Sequence, residues 1–176
     1  MAFCVHCGTQ LPDNSVFCTQ CGKKQTPVYH QTFRRENLSE DQFIAKINWW
    51  FAQYPQVANV KGEFLTHNGI GVFVNKYVLD AFSIEYELLD GVNTNQYAVA
   101  LLDQSALYEK TTDSLLNQWK AQNPGAVLLK RHGGTHQRGS TGSLLLGGIG
   151  AVNRTQLYVF YKFNRETGPA ALPASK

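Results

Sequence analysis

The fold class predicted by the sequence is a small cysteine-rich unit followed by an α+β domain, in which a mostly antiparallel sheet packs on two helices. All four cysteines of the 176 residues precede residue 22. Beyond residue 36, two stretches have helical hydrophobic periodicity, and other stretches alternate apolar and polar residues as strands do. With 43% hydrophobic and 16% charged residues, the composition is that of a globular protein.

The cysteine-rich unit contains two Cys-x-x-Cys-Gly motifs separated by ten residues. Their cysteines are Cys4, Cys7, Cys18 and Cys21. Each motif can place two thiolates on one ion, and four thiolates complete the tetrahedron that zinc prefers. Gly8 and Gly22 follow the motifs, where the chain has to turn with positive φ. Because four protein ligands leave no open position, we expect one structural zinc ion and no catalysis at this site.

Two alternatives use the same cysteines. An even cysteine count also suits a pair of disulfides, and tetrahedral sulfur also suits a rubredoxin-like iron site. The starting Met-Ala-Phe lacks the basic and apolar run of a secretory signal, and disulfides belong to oxidising compartments, so we favour a metal. The short spacing and the lack of a redox-partner motif favour zinc over iron.

One stretch of this unit resembles a known family. Its motif is Phe3-Cys4-x-x-Cys7-Gly8, Leu11-Pro12 and Phe17-Cys18-x-x-Cys21-Gly22. It resembles the short zinc-ribbon domain found at the amino terminus of many bacterial and archaeal proteins. The resemblance covers only residues 3–25, and it implies zinc but no activity, since that ribbon precedes domains of many kinds. For residues 37–176 we recognise no family.

The sequence predicts four segments. Residues 1–25 form the zinc ribbon, residues 26–36 a linker, residues 37–165 the α+β domain and residues 166–176 a disordered tail. The linker contains Pro27 and no apolar period, and the tail is rich in Pro and Ala. Because the ribbon is too small for an adequate core, its stability has to come from the metal.

The first predicted helix of the α+β domain begins at a capping box of Ser39 and Gln42 and ends before Pro55. Its apolar face carries Phe43, Ile44, Ile47, Trp50, Phe51 and Tyr54. Both Trp49 and Trp50 are interpreted as core residues. A second helix, capped by Thr112 or Asp113, runs through Gln122 and buries Leu115, Leu116 and Trp119.

The predicted strands surround these helices in the order ribbon-α-β-β-β-β-α-β-(Gly-rich loop)-β. Asn68 and Gly69 predict a hairpin turn between strands over residues 57–67 and 70–79. Further strands are predicted over residues 82–88, 97–102, 127–130 and 154–164, and we expect consecutive strands to pair as a meander. The last strand is apolar on both faces, which predicts a central position in the sheet, or a strand that covers a helix on one face and displays aromatics on the other.

The charge is divided along the chain. Residues 37–119 contain four lysines and ten acidic residues, whereas residues 120–176 contain eight Lys or Arg and one Glu. A Gly-rich loop at residues 133–150 with flanking cations predicts an anion or nucleic-acid phosphate site. Its candidate contacts are Lys130, Arg131, His132, Arg138 and Arg154. The alternative is that the glycines form a mobile connection and the cations pair with neighbouring acidic strands.

Three functions follow. We favour a noncatalytic, zinc-binding adaptor that docks a protein partner. The second is a nucleic-acid binder that uses Lys23, Lys24, Arg34 and Arg35 with the Gly-rich region, and stacks bases on Tyr158 and Phe160. The third is a small-ligand-binding protein or enzyme with a site between sheet and helix. No catalytic residue is predicted, and no apolar run reaches the roughly 18 residues of a membrane span, so we expect a cytoplasmic protein.

Overall fold

The structure of the protein is a computed structural model that describes residues 2–4, 6–12, 15–69, 76–106, 111–137 and 153–166. Its elements are β1 (Ala2–Phe3), β2 (Gln10–Leu11), β3 (Tyr29–Arg34), α1 (Glu40–Gln53), β4 (Val57–Gly69), β5 (Lys76–Leu88), β6 (Asn95–Ala106), α2 (Thr112–Gln122), β7 (Val127–Gln137) and β8 (Asn153–Asn164). The strands form antiparallel sheets in the orders β1-β2, β3-β5-β4 and β6-β8-β7. The predicted α+β class is confirmed, with two three-stranded sheets where the sequence suggested one.

Helix α1 begins at the predicted capping box. The Gln42 backbone N–H donates to Ser39 Oγ, and the Ser39 N–H donates to Gln42 Oε1. Phe43, Ile47 and Phe51 are buried, and Ile44 and Trp50 pack against the same core, as predicted. Tyr54, at the end of the helix, is 43% exposed, so its place on the buried face is wrong. Trp49 is 63% exposed, so its assignment to the core is wrong. It lies two positions before Phe51, and residues two apart do not share a helical face.

Helix α2 is also confirmed, with Leu115, Leu116 and Trp119 buried. Its cap is Thr111, one residue before the predicted candidates, and Thr111 Oγ1 accepts from the Ser114 N–H. The two helices have 14 and 11 residues, and among the described residues no helix is long and apolar enough to cross a membrane.

The main core lies between the two three-stranded sheets and is closed by α1. Its buried residues are Phe33, Phe43, Ile47, Phe51, Val57, Val60, Phe64, Leu79, Phe82, Ile84, Tyr97, Val99, Tyr158 and Phe160. On the opposite face of β8, a second cluster joins Leu157, Val159, Tyr161 and Phe163 to Leu116 and Trp119 of α2. Strand β8 is therefore covered on both faces and lies between β6 and β7, which confirms its predicted central position.

The predicted hairpin turn is wrong in its position. Asn68 and Gly69 belong to β4, where they pair with Tyr77 and Lys76, and residues 70–75 lie outside the described part. The two strands predicted over residues 70–79 and 82–88 are one strand, β5, because pairing with β4 continues past Asp80. A register shift in this pairing accommodates Asp80 as an extra residue, as a β-bulge does.

Strand β3 lies within the segment interpreted as a linker. It pairs antiparallel with β5, and Phe33 is its one buried side chain. An edge strand that buries a single side chain leaves little periodicity in the sequence, which is why no strand was predicted here. The meander is also wrong beyond β5, since β6 pairs with β8. The segment boundaries themselves stay predictions.

The edge strands of the two three-stranded sheets differ in the contacts that they make with other elements. Asn48 of α1 donates from Nδ2 to the Val99 carbonyl of β6 at 2.9 Å and accepts from the Val99 N–H at 2.8 Å. Strands β4 and β7 contact each other across the sheets through Lys130 and Glu63, at 2.7 Å. No described strand pairs with the outer edge of β3. Apart from the Thr32 carbonyl, which accepts from Gln31 Nε2 at 3.4 Å, that edge keeps its outward N–H and C=O groups available.

Gly62 of β4 tests how tightly the core is packed. A Cβ atom there would lie 2.7 Å from Phe82 Cζ and 2.8 Å from Phe160 Cδ1. We expect Gly62→Ala to lower the free energy of unfolding by about 1–3 kcal/mol, because the two rings would have to move. Urea unfolding followed by tryptophan fluorescence measures this.

The matched control is Gly91→Ala, because no atom lies within 4 Å of the added Cβ. Its free energy of unfolding should stay within about 0.5 kcal/mol of the parent value. Equal effects of the two substitutions would contradict the tight packing at Gly62.

Candidate metal centre

The two cysteine motifs fold into the same turn. The Gly8 N–H donates to the Cys4 carbonyl at 2.9 Å, and the Gly22 N–H donates to the Cys18 carbonyl at 2.8 Å. Each first cysteine N–H then donates to the carbonyl of the residue after the glycine, at 2.8 and 2.9 Å. Gly8 has a φ of 73° and Gly22 a φ of 69°. The positive φ predicted for both glycines is confirmed.

These turns bring the four sulfur atoms together. All four Sγ atoms lie within 4.8 Å of one another, and the Cys4–Cys21 and Cys7–Cys18 pairs are each 3.6 Å apart. Four sulfurs bound to zinc at about 2.3 Å lie about 3.8 Å apart in a regular tetrahedron. The tetrad therefore fits a zinc ion, whereas a disulfide would need an S–S distance of about 2.05 Å.

The ionisation of the cysteines also favours a cation. Burial raises the pKa of Cys4, but hydrogen bonds from the backbone of His6 and Cys7 and from neighbouring thiols lower it further, to about 6. A backbone hydrogen bond at Lys23 lowers the pKa of Cys21, yet burial and the surrounding cysteines raise it to about 11. Adjacent thiolates repel each other, so a positive ion is needed to keep all four deprotonated.

The protein core of this unit is very small. Leu11 packs with the buried Cys4 and Cys18, and Gln25 Nε2 donates to Cys4 Sγ at 3.4 Å. Two two-residue strands, β1 and β2, supply its sheet. Such a core cannot offset the entropy of ordering the chain without the metal.

The spacing, the repeated turn and the sulfur tetrad together define the unit. Residues 3–25 match the family model of the zinc-ribbon domain. The family match and the tetrad support one structural zinc ion, held by Cys4, Cys7, Cys18 and Cys21. Comparisons with curated proteins and with solved structures found no match.

The zinc ribbon exposes three large apolar side chains to solvent. Phe3 is 61% exposed, Val16 56% and Phe17 59%. Phe3 and Phe17 each precede the first cysteine of a motif, so the repeated turn directs one aromatic residue outward from each half. Sequence reasoning used these phenylalanines only as part of the motif and missed their exposure.

Four of the five candidate anion contacts lie in strands β7 and β8. The fifth, Arg138, is outside the described residues. The structure places Lys130, Arg131, His132 and Arg154 in these strands. The three cations pair with the carboxylates of Glu63, Asp113 and Asp103, respectively. His132 Nε2 lies 2.7 Å from Thr66 Oγ1. These partners reduce the positive potential available to an external anion.

Part of the predicted Gly-rich loop is strand. Gly133 and Gly134 lie in β7 and pair with Leu157 and Gln156 of β8. A Cβ on Gly133 would lie 2.1 Å from the Gln156 carbonyl oxygen, and one on Gly134 would lie 2.9 Å from Tyr77 Oη. These glycines thus permit close packing of strands. The remaining residues 138–150 are outside the described part, and their role in anion binding stays a prediction.

A second group of positive residues lies near the amino terminus, from the end of the zinc ribbon to the segment before α1. Residues 23–35 contain four Lys or Arg and no acidic residue. Lys24 lies 3.5 Å from the exposed Asp90, whereas Lys23, Arg34 and Arg35 have no carboxylate partner among the described residues. The stacking role predicted for Tyr158 and Phe160 is wrong, because both are fully buried in the main core.

A cavity of about 350 Å³ lies on the outer face of the β3-β5-β4 sheet. It is lined by His30, Thr32, Lys61, Gly62, Glu63, Ser83, Ile84 and Glu85. The His30 and Lys61 side chains are 70% and 83% exposed. Solvent-exposed groups of this kind differ from the buried, convergent polar groups of a ligand pocket.

Removal of the metal should unfold the zinc ribbon and leave the α+β domain folded. Treatment with a strong chelator should abolish the dispersed amide resonances of residues 3–25, because apparent zinc binding supplies about 10–16 kcal/mol in comparable peptides. Resonances of the main core should stay. Heteronuclear NMR measures both, and metal analysis should find one zinc per chain before chelation.

Restoring zinc provides the control, since it should return the ribbon resonances. The double variant Cys4→Ser, Cys7→Ser should resemble the chelated protein and fail to recover. A zinc ribbon that stays folded without metal would contradict the structural role of the ion.

Proposed function

We propose that this protein is a noncatalytic, zinc-binding adaptor that docks a protein partner through its zinc ribbon. The observation that carries this proposal is the outward direction of Phe3, Val16 and Phe17, each more than half exposed on a unit of 23 matched residues. Large exposed apolar side chains are typical of surfaces that bind other proteins.

The chemistry of the metal supports a noncatalytic role. Four cysteine ligands fill the coordination of zinc, which leaves no position for water or substrate. Among the described residues, this tetrad is also the one group of three or more Cys, His, Asp or Glu able to hold a metal ion. The zinc ion therefore stabilises the ribbon, and we assign partner binding to the ribbon surface.

A matched pair of surface substitutions tests the adaptor. Affinity capture from native lysate should recover a protein partner in the presence of nuclease. Phe17→Ser should abolish capture, because it removes an exposed ring from the docking surface, while Leu65→Ser should not, although Leu65 is equally exposed at 62% in the α+β domain. Immunoblotting or mass spectrometry of the captured fraction measures the difference.

The zinc content of each variant shows whether lost capture results from the missing side chain or from an unfolded zinc ribbon. Both variants should retain one zinc per chain, since neither residue is a ligand. Equal capture by Phe17→Ser and the parent protein would contradict docking through the zinc ribbon. Capture that disappears with nuclease alone would favour the second candidate function.

That second candidate is nucleic-acid binding, and the observation in its favour is that Lys23, Arg34 and Arg35 have no carboxylate partner in the described part of the chain. Phosphate binding by these residues requires an affinity for mixed-sequence nucleic acid that falls by about 10-fold or more between 50 and 200 mM salt. Under the adaptor proposal we expect weak binding that does not depend on the zinc ribbon. Fluorescence anisotropy at several salt concentrations separates the two functions.

A further inference from the structure

Strand β3 presents an outer edge with which no described strand pairs. The Thr32 carbonyl of β3 accepts a hydrogen bond from the neighbouring Gln31 Nε2 at 3.4 Å. On β6, the Asn48 side chain occupies the Val99 N–H and C=O groups. A side-chain ion pair between Glu63 and Lys130 links β4 with β7. In an antiparallel edge strand of six residues, about half of the residues direct their N–H and C=O groups outward.

The charge at this edge is positive. Arg34 ends β3 and Arg35 follows it, and neither has a carboxylate partner among the described residues. The nearby Glu85 of β5 is already approached by His30 at 3.9 Å and by Lys61 at 4.0 Å. Native edge strands commonly carry charge that repels further copies of themselves. The same charge attracts a strand of opposite sign.

The edge is continuous with the zinc ribbon. Lys24 of the ribbon lies 3.5 Å from Asp90, which follows the end of β5, and the end of β5 pairs with the beginning of β3. Val28 and Tyr29 at this end of β3 are 45% and 41% exposed. Apolar side chains and cations therefore extend from the ribbon along the start of the free edge.

We propose that the outer edge of β3 binds an extended acidic segment of a partner protein by strand addition, so that the segment becomes the fourth strand of the β3-β5-β4 sheet. Main-chain hydrogen bonds supply affinity in this mode, and alternate side chains supply specificity. Acidic residues of the segment pair with Arg34 and Arg35. This inference rests on the adaptor function and names the chemistry of its partner.

A polypeptide fits this edge better than a nucleic acid does. The edge offers alternating donors and acceptors, and an extended peptide offers both in the same alternation. Phosphate oxygens accept hydrogen bonds from N–H groups and from arginine, but they donate none to the carbonyl groups of β3. Nucleic acid would satisfy the charge and leave half of the edge without a partner.

The test uses the full chain and a ten-residue fluorescent peptide that alternates glutamate and valine. A lysine–valine peptide and an oligothymidylate are the competing probes. The acidic peptide should bind more tightly than either, and hydrogen exchange should slow in Tyr29–Arg34. Arg34→Glu should weaken binding about 10-fold, the value of one charge-assisted hydrogen bond. Lys120→Glu is the matched control, since Lys120 is exposed on α2, which packs on the far face of β8, and it should change affinity less than about twofold.

Three results would overturn the edge proposal: equal affinity for the acidic and basic peptides, unchanged exchange in β3, or tighter binding of the oligothymidylate with protection of β3. Failure of the adaptor function is distinguishable. If the ribbon-dependent partner binds Arg34→Glu as well as the parent protein, the adaptor stands and the edge proposal falls. If the peptide protects β3 but capture from lysate requires nucleic acid, the adaptor falls and the edge assignment stands.

Discussion

The burial of β8 on both faces is the constraint on which the α+β fold depends. One face supplies Tyr158 and Phe160 to the core shared with the β3-β5-β4 sheet and α1, and the other supplies Val159 to the cluster under α2. Tyr158 also donates to the Glu40 carboxylate at the start of α1 and lies 3.1 Å from the Tyr77 carbonyl. Burial and the hydrogen bond with Glu40 raise the pKa of this tyrosine. One strand thus fixes the positions of both helices and both sheets.

This arrangement determines which surfaces are left to bind a partner. Because β8 is central, its neighbours β6 and β7 become edges, and each carries a contact from another element: Asn48 bonds the Val99 backbone of β6, and Glu63 pairs with Lys130 of β7. Strand β3 lies at the edge of the other sheet, where no described strand pairs with its outer side. The free edge and the zinc ribbon are adjacent along the chain, so a partner can contact both. The packing of the interior therefore leads to the proposed docking surface.

The cations near β8 and those near β3 have different roles. Lys130, Arg131 and Arg154 each have a carboxylate partner, so they join elements of the fold. Arg154 is held by Asp103 strongly enough that its pKa is raised. The exposed pairs of Lys130 and Arg131 contribute little free energy, but they join elements and neutralise the field around them. Within residues 23–35, Lys24 pairs with Asp90, whereas Lys23, Arg34 and Arg35 have no carboxylate partner in the described part of the chain and remain available to a binding partner.

The sequence by itself determined the zinc site, because Cys4, Cys7, Cys18 and Cys21 lie close along the chain and their local turns suffice to assemble the tetrad. It also determined both helices and the central β8, since capping and periodicity are local signals. Only the tertiary structure decided that β3 is a strand, that β5 continues past Asp80, and that Lys130, Arg131 and Arg154 are paired. The physical reason is that sheet pairing and charge pairing join residues far apart in sequence. Their partners are fixed by packing, which no local pattern encodes.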